Sequence, residues 1–144
     1  MLAEAVDWRP TTPPRDVDIL MATPELSHYV SGWPRPRDVG VIALDPEPIG
    51  AAWWRFFTVD DPGYGFVDEA TPELSIGVLD AARGMGVGTR LLEVLIEEAR
   101  RRSIGALSLS VEPENPALEL YRRLGFQVVG GVGGSYTMVR STSL

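Results

Sequence analysis

The 144-residue sequence contains no cysteine, no lysine and a single histidine, and it has no long apolar run. The absence of cysteine excludes disulfide bonds, thiolate metal ligands and a cysteine nucleophile. Because no partner motif surrounds His28, we expect this residue on the surface of a helix rather than in a triad or a metal site. No stretch reaches the roughly 18 apolar residues that span a membrane, and the first residues do not resemble a secretory signal. We therefore expect one cytoplasmic domain, residues 1–144, with no metal ion and no membrane partner.

The charge is unevenly distributed along the chain. The formal net charge of −7 argues against a general nucleic-acid partner. Residues 1–80 carry five arginines against 14 acidic residues, whereas residues 81–144 carry eight arginines against six. This asymmetry suits an anionic cofactor bound by the second half and a cationic substrate bound by the first, and it equally suits an ordinary solvated surface.

Apolar periodicity and turn residues predict an α/β domain of the α+β type with a mixed sheet. The expected elements are a helix over 24–30 capped by Thr23, strands 38–44 and 49–57 in a hairpin, strand 73–79, helix 89–102, strand 106–111, helix 115–124, and strands 126–129 and 135–140. The helix over 89–102 is the clearest, because its apolar residues recur at spacings of three and four.

A glycine-rich segment lies between the third strand and this helix. It consists of Arg83, Gly84, Met85, Gly86, Val87, Gly88 and Thr89. Backbone N–H groups of such a loop can surround a phosphate, and the following helix N-terminus adds partial positive charge. The alternating glycines remove Cβ atoms from that approach. A P-loop is excluded because it requires lysine, and the dinucleotide fingerprint fails because Thr89 or Leu91 stands where glycine is needed.

Two motifs together resemble the GNAT acetyltransferase superfamily. The family signature, Gln/Arg-x-x-Gly-x-Gly/Ala, is met by residues 83–88. A second family pattern, Asn-x-x-Ala/Ser-x-x-Leu-Tyr-x-x-x-Gly-Phe, is similar to residues 115–126. The close match covers Glu73 to Phe126, while residues 1–37 match only loosely. The resemblance implies a mostly antiparallel sheet with one splayed parallel pair, flanked by helices.

The resemblance also implies acetyl-CoA as co-substrate and a set of cofactor-binding residues. The amides from Arg83 to Thr89 would hold the pyrophosphate. The pantetheine arm would pair with the strand before the loop, through Ile76, Val78 and Leu79. Asn115 could hydrogen-bond the arm, or it could simply cap its helix.

Two residues are the catalytic candidates that the resemblance implies. Tyr121 would protonate the departing CoA thiolate, although it could also be a tyrosine that packs its helix against the sheet. Glu73 would be the general base, directly or through water, with Glu112 as the second candidate; either could also be a surface carboxylate. No residue is an obvious nucleophile for an acyl-enzyme, so direct transfer in a ternary complex is expected.

The acceptor is expected to be a small-molecule amine or a peptide amine. The loop aromatics Trp33, Tyr64 and Phe66 could line its pocket, and nearby acidic residues would attract its charge. Those acidic residues are Asp60, Asp61, Asp68 and Glu69. A CoA-binding module without catalysis and a nucleotide-cofactor oxidoreductase remain as alternatives, and the sequence leaves a homodimer open.

Overall fold

A single six-stranded mixed sheet organises the computed structural model, which describes residues 24–143. The strands are β1 (Val39–Leu44), β2 (Pro48–Arg55), β3 (Glu73–Val78), β4 (Ala106–Val111), β5 (Gln127–Val132) and β6 (Ser135–Ser141). The helices are α1 (Pro24–Ser27), α2 (Val87–Arg101) and α3 (Ala117–Arg123), with a 3₁₀ turn at Asp80–Ala82. The order across the sheet is β1-β2-β3-β4-β6-β5, which confirms the predicted mixed fold.

The central pair of strands, β3 and β4, is parallel, and every other neighbouring pair is antiparallel. Among the described residues, β3 and β4 are in register at one pair, Glu73 with Ser108. The Ser108 N–H also donates to the Pro72 carbonyl, at 3.0 Å. Beyond this point the strands diverge toward their C-terminal ends. The splayed parallel pair expected from the resemblance is therefore present.

One apolar core joins the sheet to α2 and α3. Alternate residues of β4 enter it, so Leu107, Leu109 and Val111 are buried on one face while Ser108 and Ser110 lie on the other. The buried stripe of α2 comprises Leu91, Leu92, Leu95, Ile96 and Ala99, the stripe that the periodicity predicts. No helix within residues 24–143 is long and apolar enough to cross a membrane.

The element boundaries differ from expectation at the ends of both strands and helices. The predicted strands 49–57 and 126–129 are Pro48–Arg55 and Gln127–Val132, and the predicted helix 115–124 is Ala117–Arg123. The first helix ends at Ser27 and continues as turns rather than reaching residue 30, and its predicted cap Thr23 lies outside the described residues. Helix α2 begins at Val87, two residues before the predicted start. The reason is local, because Gly86 takes a left-handed conformation and its carbonyl accepts the Arg90 N–H at 3.1 Å.

Candidate active site

The divergence of β3 from β4 leaves the backbone of β3 facing a gap. Leu79 donates its N–H to the Ile49 carbonyl of β2, at 2.8 Å. Strand alternation therefore turns the N–H and C=O groups of Ile76 and Val78 toward β4. Ile76 and the Val78 N–H can therefore pair with an extended arm in the gap. The Val78 carbonyl already accepts Arg83 Nε, and the Leu79 N–H is used on the other side.

The glycine loop lies at the wide end of this gap, where β3 leads into α2. Gly84 and Gly86 both have φ of 80°, a conformation that side chains with a Cβ rarely adopt. Nothing lies within 4 Å of a Cβ built on either residue. The backbone conformation therefore requires glycine at both positions. The turn leads directly into the N-terminus of the 15-residue helix α2.

Gly88 has a different role from the other two glycines. It lies in the first turn of α2, and a Cβ there would contact Leu120 of α3 at 3.5 Å and Ile76 of β3 at 3.7 Å. Those distances are ordinary van der Waals contacts. Gly88 therefore marks the place where α2, α3 and β3 meet.

The predicted pyrophosphate residue Arg83 is turned back onto the strand. Its Nε donates to the Val78 carbonyl at 3.1 Å, and its Nη1 lies 2.6 Å from Asp80 Oδ1. The guanidinium thus borders the gap from the β3 side and already has carboxylate and carbonyl partners. Its contribution to the loop in this structure is to fix the end of β3.

Glu73 lies at the opposite, narrow end of the gap. Its side chain is buried, its Oε2 accepts the Tyr29 hydroxyl at 2.6 Å, and its Oε1 accepts the Gly65 N–H at 3.0 Å. Burial raises the pKa of Glu73 from 4.5 to about 7, although both hydrogen bonds oppose that rise. A carboxyl with this pKa can accept a proton near neutral pH.

Position separates Glu73 from the other candidate base, Glu112. Because β3 and β4 are parallel, Glu73 at the start of β3 lies at the narrow end of the gap. Glu112 follows the end of β4 and so lies at the wide end of the gap. The two carboxylates therefore lie at opposite ends of the gap.

Tyr121 lies on α3 within the core. Its ring packs edge-to-face against Phe126, with centroids 6.0 Å apart. Burial raises the pKa of the Tyr121 phenol well above its ordinary value, so the hydroxyl stays protonated at neutral pH. It therefore fulfils the packing role that the sequence allowed, and it also keeps the proton that an acid must donate.

Asn115 caps α3, as the sequence predicts. Its Oδ1 accepts the Ala117 N–H at 2.9 Å, and its own carbonyl accepts the Leu118 N–H at 3.0 Å. Because the Oδ1 is committed to the helix, only the side-chain NH₂ group remains suited to a cofactor carbonyl.

The predicted acceptor residues divide into exposed aromatics and acids with local partners. Trp33 is 41% exposed and Tyr64 is 40% exposed, so both rings can be reached by a ligand. Most of the acidic side chains hold the loop instead. Asp61 contacts His28 Nδ1 at 2.9 Å, Asp68 accepts the Ala70 N–H at 2.9 Å, and Glu69 accepts the Val59 N–H at 2.9 Å.

The expectation that His28 is a helix-surface residue is wrong. It follows α1 in a turn, and its side chain is only 11% exposed. The ring packs against Tyr29 and Phe57, with centroid distances of 4.7 and 4.8 Å. The early end of α1 causes this, because a turn rather than a continued helix directs the imidazole against the aromatic pair.

Sequence reasoning did not identify Tyr29 or the two loop glycines that surround Glu73. A Cβ on Gly63 would lie 2.1 Å from Glu73 Oε1, and a Cβ on Gly65 would lie 2.6 Å from the Leu109 carbonyl carbon. The spacing Gly63-x-Gly65 was the available signal, since paired glycines in a loop often mark a close backbone approach. Nothing in the sequence around Tyr29 indicates its partner, which is 44 residues away.

The sheet with its splayed parallel pair, glycine loop and helix defines an acyl-CoA N-acyltransferase type of fold. The model of the Acetyltransferase (GNAT) family matches residues 3–126. The chain therefore belongs to the GNAT family.

Individual relatives agree with this assignment. L-methionine sulfoximine/L-methionine sulfone acetyltransferase of Pseudomonas paraeruginosa is 41% identical over 70 residues, which are 48% of this chain and 40% of the relative. A ribosomal-protein-alanine N-acetyltransferase structure from Brucella melitensis is 32% identical with a TM-score of 0.58, covering 71% of this chain and 67% of that one. A Salmonella typhimurium protein solved with its cofactor acetyl-CoA is 30% identical with a TM-score of 0.56, covering 68% and 60%. The chain spans less than half the length of the first of these relatives.

Proposed function

We propose that this protein transfers the acetyl group of acetyl-CoA to a primary amine by direct attack in a ternary complex. The observation that carries the proposal is the placement of Glu73. It is a buried carboxyl with a pKa of about 7, and it lies where β3 and β4 stop pairing. The thioester is expected at this narrow end of the gap, so the base and the reacting carbon meet there.

The two parts of the site lie at opposite ends of β3. Glu73 begins the strand and the glycine loop follows its end, and the five strand rises of about 3.3 Å from Glu73 to Val78 span roughly 17 Å. We propose that loop amides and the α2 N-terminus hold the pyrophosphate, with Ile76 and Val78 pairing with the pantetheine arm. The relative solved with acetyl-CoA supports this choice of cofactor.

The proposed chemistry begins with the loss of a proton from the acceptor. An alkylammonium has a pKa near 10, so Glu73 accepts a proton, directly or through water, to produce the neutral amine. The amine nitrogen attacks the thioester carbon, and the C–S bond breaks with its electron pair going to sulfur. The gap-facing backbone N–H of Ile76, which is nearer than Val78 to Glu73 along β3, stabilises the oxyanion.

Tyr121 completes the proposed mechanism as the acid. Its buried phenol stays protonated, and it follows Leu120, whose side chain lies beside Gly88 and Ile76 at the edge of the gap. The phenol proton passes to the CoA thiolate, and the proton that the nitrogen loses as the amide forms restores the Tyr121 phenol through water. The proton held by Glu73 returns to solvent.

The acceptor class remains the amine of a small molecule or of a peptide. One relative is named for methionine sulfoximine and methionine sulfone, and another for the alanine of a ribosomal protein. Both names describe an amine on an amino-acid unit. We therefore propose an α-amine of an amino acid or peptide N-terminus as the acceptor, bordered by Trp33 and Tyr64.

Calorimetric titration with acetyl-CoA tests the cofactor, and thiol release tests the reaction. We expect binding on the order of micromolar, followed by amine-dependent release of CoA thiol from a panel of amino acids and short peptides. A Glu73→Gln variant should bind acetyl-CoA with unchanged affinity and release thiol at least about a hundredfold more slowly at pH 7. Folded protein that does not bind acetyl-CoA would refute the proposal.

A further inference from the structure

Tyr29 connects the proposed base to a neighbouring loop. Its hydroxyl donates to Glu73 Oε2 at 2.6 Å and accepts the backbone N–H of Tyr64 at 2.9 Å. The residue is only 8% exposed. A single buried phenol thus satisfies one carboxylate oxygen and one loop amide at once.

The main chain at Tyr29 is itself fixed to β2. The indole N–H of Trp53 donates to the Tyr29 carbonyl at 3.2 Å. Arg55 Nη1 donates to the carbonyls of His28 and Ser31, at 3.0 and 2.6 Å. Trp53 and Arg55 both lie on β2, the strand that pairs with β3. Their hydrogen bonds therefore fix the position of Tyr29 relative to Glu73.

The loop on the other side of the carboxylate has no room to move toward it. Gly65 donates to Glu73 Oε1 at 3.0 Å, and its Cα faces the backbone of Leu109 and Ser110 on β4. Gly63 lies so close that even a methyl group there would overlap the carboxylate. The carboxylate is therefore held between Tyr29 and the loop over residues 63–65.

We infer that Tyr29 is a positioning residue for Glu73, which fixes the orientation of the base and couples it to the loop that carries the exposed ring of Tyr64. This inference rests on the proposed function, because it assumes that Glu73 receives the amine proton. Tyr29 does not contact the reacting atoms in this account. It acts by holding one carboxylate oxygen in a fixed orientation.

The contact between Tyr29 and Glu73 shifts the pKa of each residue in a definite direction. The hydrogen bond from Tyr29 lowers the pKa of Glu73 against the effect of burial, while burial and Glu73 raise the pKa of Tyr29 far above its ordinary value. Tyr29 therefore remains a donor throughout the working range. The ionisable groups nearby are Arg55, which is paired with Asp38, and His28, which contacts Asp61. Removing the Tyr29 hydroxyl leaves these groups in place.

The test compares Tyr29→Phe with Tyr136→Phe. The control also removes one phenol oxygen, from a half-buried ring on β6 that β4 separates from the gap. The Glu73 carboxyl is followed by ¹³C NMR titration, with Glu73→Gln identifying its signal, and kcat/KM is measured from pH 5 to 9. In Tyr29→Phe we expect the pKa of Glu73 to rise by about one unit and kcat/KM at pH 7 to fall about fivefold, with recovery near pH 9. Tyr136→Phe should match the wild-type protein.

Each result has one interpretation. An unchanged Glu73 pKa in folded Tyr29→Phe would overturn the inference, and so would a loss of kcat that is the same at every pH. A shifted pKa in a protein whose wild type transfers no acetyl group would support the positioning and refute the proposed function instead. If Tyr29→Phe does not fold, Trp53→Phe removes the anchor of the Tyr29 carbonyl and should shift the Glu73 pKa in the same direction; no shift there would overturn the inference.

Discussion

Glu73 of β3 faces Ser108 of β4 in the one registered pair between these parallel strands within the described part of the chain. At the N-terminal end of β3, the Pro72 carbonyl accepts a hydrogen bond from Ser108 of β4. Toward the C-terminal ends, the two strands separate. A buried carboxyl thus lies where backbone pairing ends and backbone N–H groups turn toward a gap. Four predictions follow from the contacts around this point and from those at the other end of the gap.

Gly86→Glu should abolish binding of acetyl-CoA. The substitution places bulk and negative charge at the helix N-terminus where the pyrophosphate is proposed to bind. Gly134→Glu is the matched control, because Gly134 has φ of 85° against 80° for Gly86 and lies in the distant β5–β6 turn. Both variants should lose about 1–2 kcal/mol of stability from backbone strain. Calorimetry should show loss of binding in Gly86→Glu alone; equal affinities would remove the loop from the site.

Tyr121→Phe should bind acetyl-CoA normally and turn over on the order of a hundredfold more slowly. The edge-to-face packing against Phe126 does not need the hydroxyl, so the fold should be retained. Steady-state kinetics would show the effect in kcat rather than in KM. Full activity in this variant would leave Tyr121 with its packing role only.

The free energy of unfolding should decrease as the pH rises from about 4.5 to 7, because Glu73 loses its proton over this range. The folded-state pKa of this carboxyl, about 7, is raised above its ordinary value of 4.5, so the folded protein binds the proton more tightly than the unfolded chain. Its contribution is complete below pH 4.5 and is lost as the pH rises through 7, which amounts to roughly 3 kcal/mol. Urea unfolding at several pH values measures this slope. Glu73→Gln should flatten it, and an unchanged slope would contradict the raised pKa.

Asp38→Asn should destabilise the protein strongly. Asp38 and Arg55 form a buried ion pair whose side chains are 2% and 1% exposed, and the variant leaves the guanidinium without its counter-charge. The expected loss is about 3–5 kcal/mol in urea unfolding. Glu119→Gln breaks an exposed pair with Arg122 and should cost no more than about 1 kcal/mol. Similar losses in the two variants would show that burial of the Arg55 pair is unimportant.

Local sequence signals were sufficient for the elements that depend on near neighbours. The strand over 106–111 lies where alternation and turn residues predict it, and the buried stripe of α2 follows directly from its periodicity. Asn115 caps α3 because the capping bond joins residues two apart. The start of α2 was misplaced because the conformation of Gly86 decides it, and sequence spacing does not reveal which glycine in a loop takes positive φ.

The sequence by itself determined the family, the position of the glycine-rich loop and the residue types available for catalysis. Its motifs are contiguous, so the chemistry they carry can be recognised without the fold. Only the tertiary structure decided that Glu73 rather than Glu112 lies at the narrow end of the gap, and that Tyr29 and Gly65 hold its carboxylate. The physical reason is that burial and hydrogen bonding set the state of a carboxyl, and both come from residues that the chain brings together over separations of up to 44 positions.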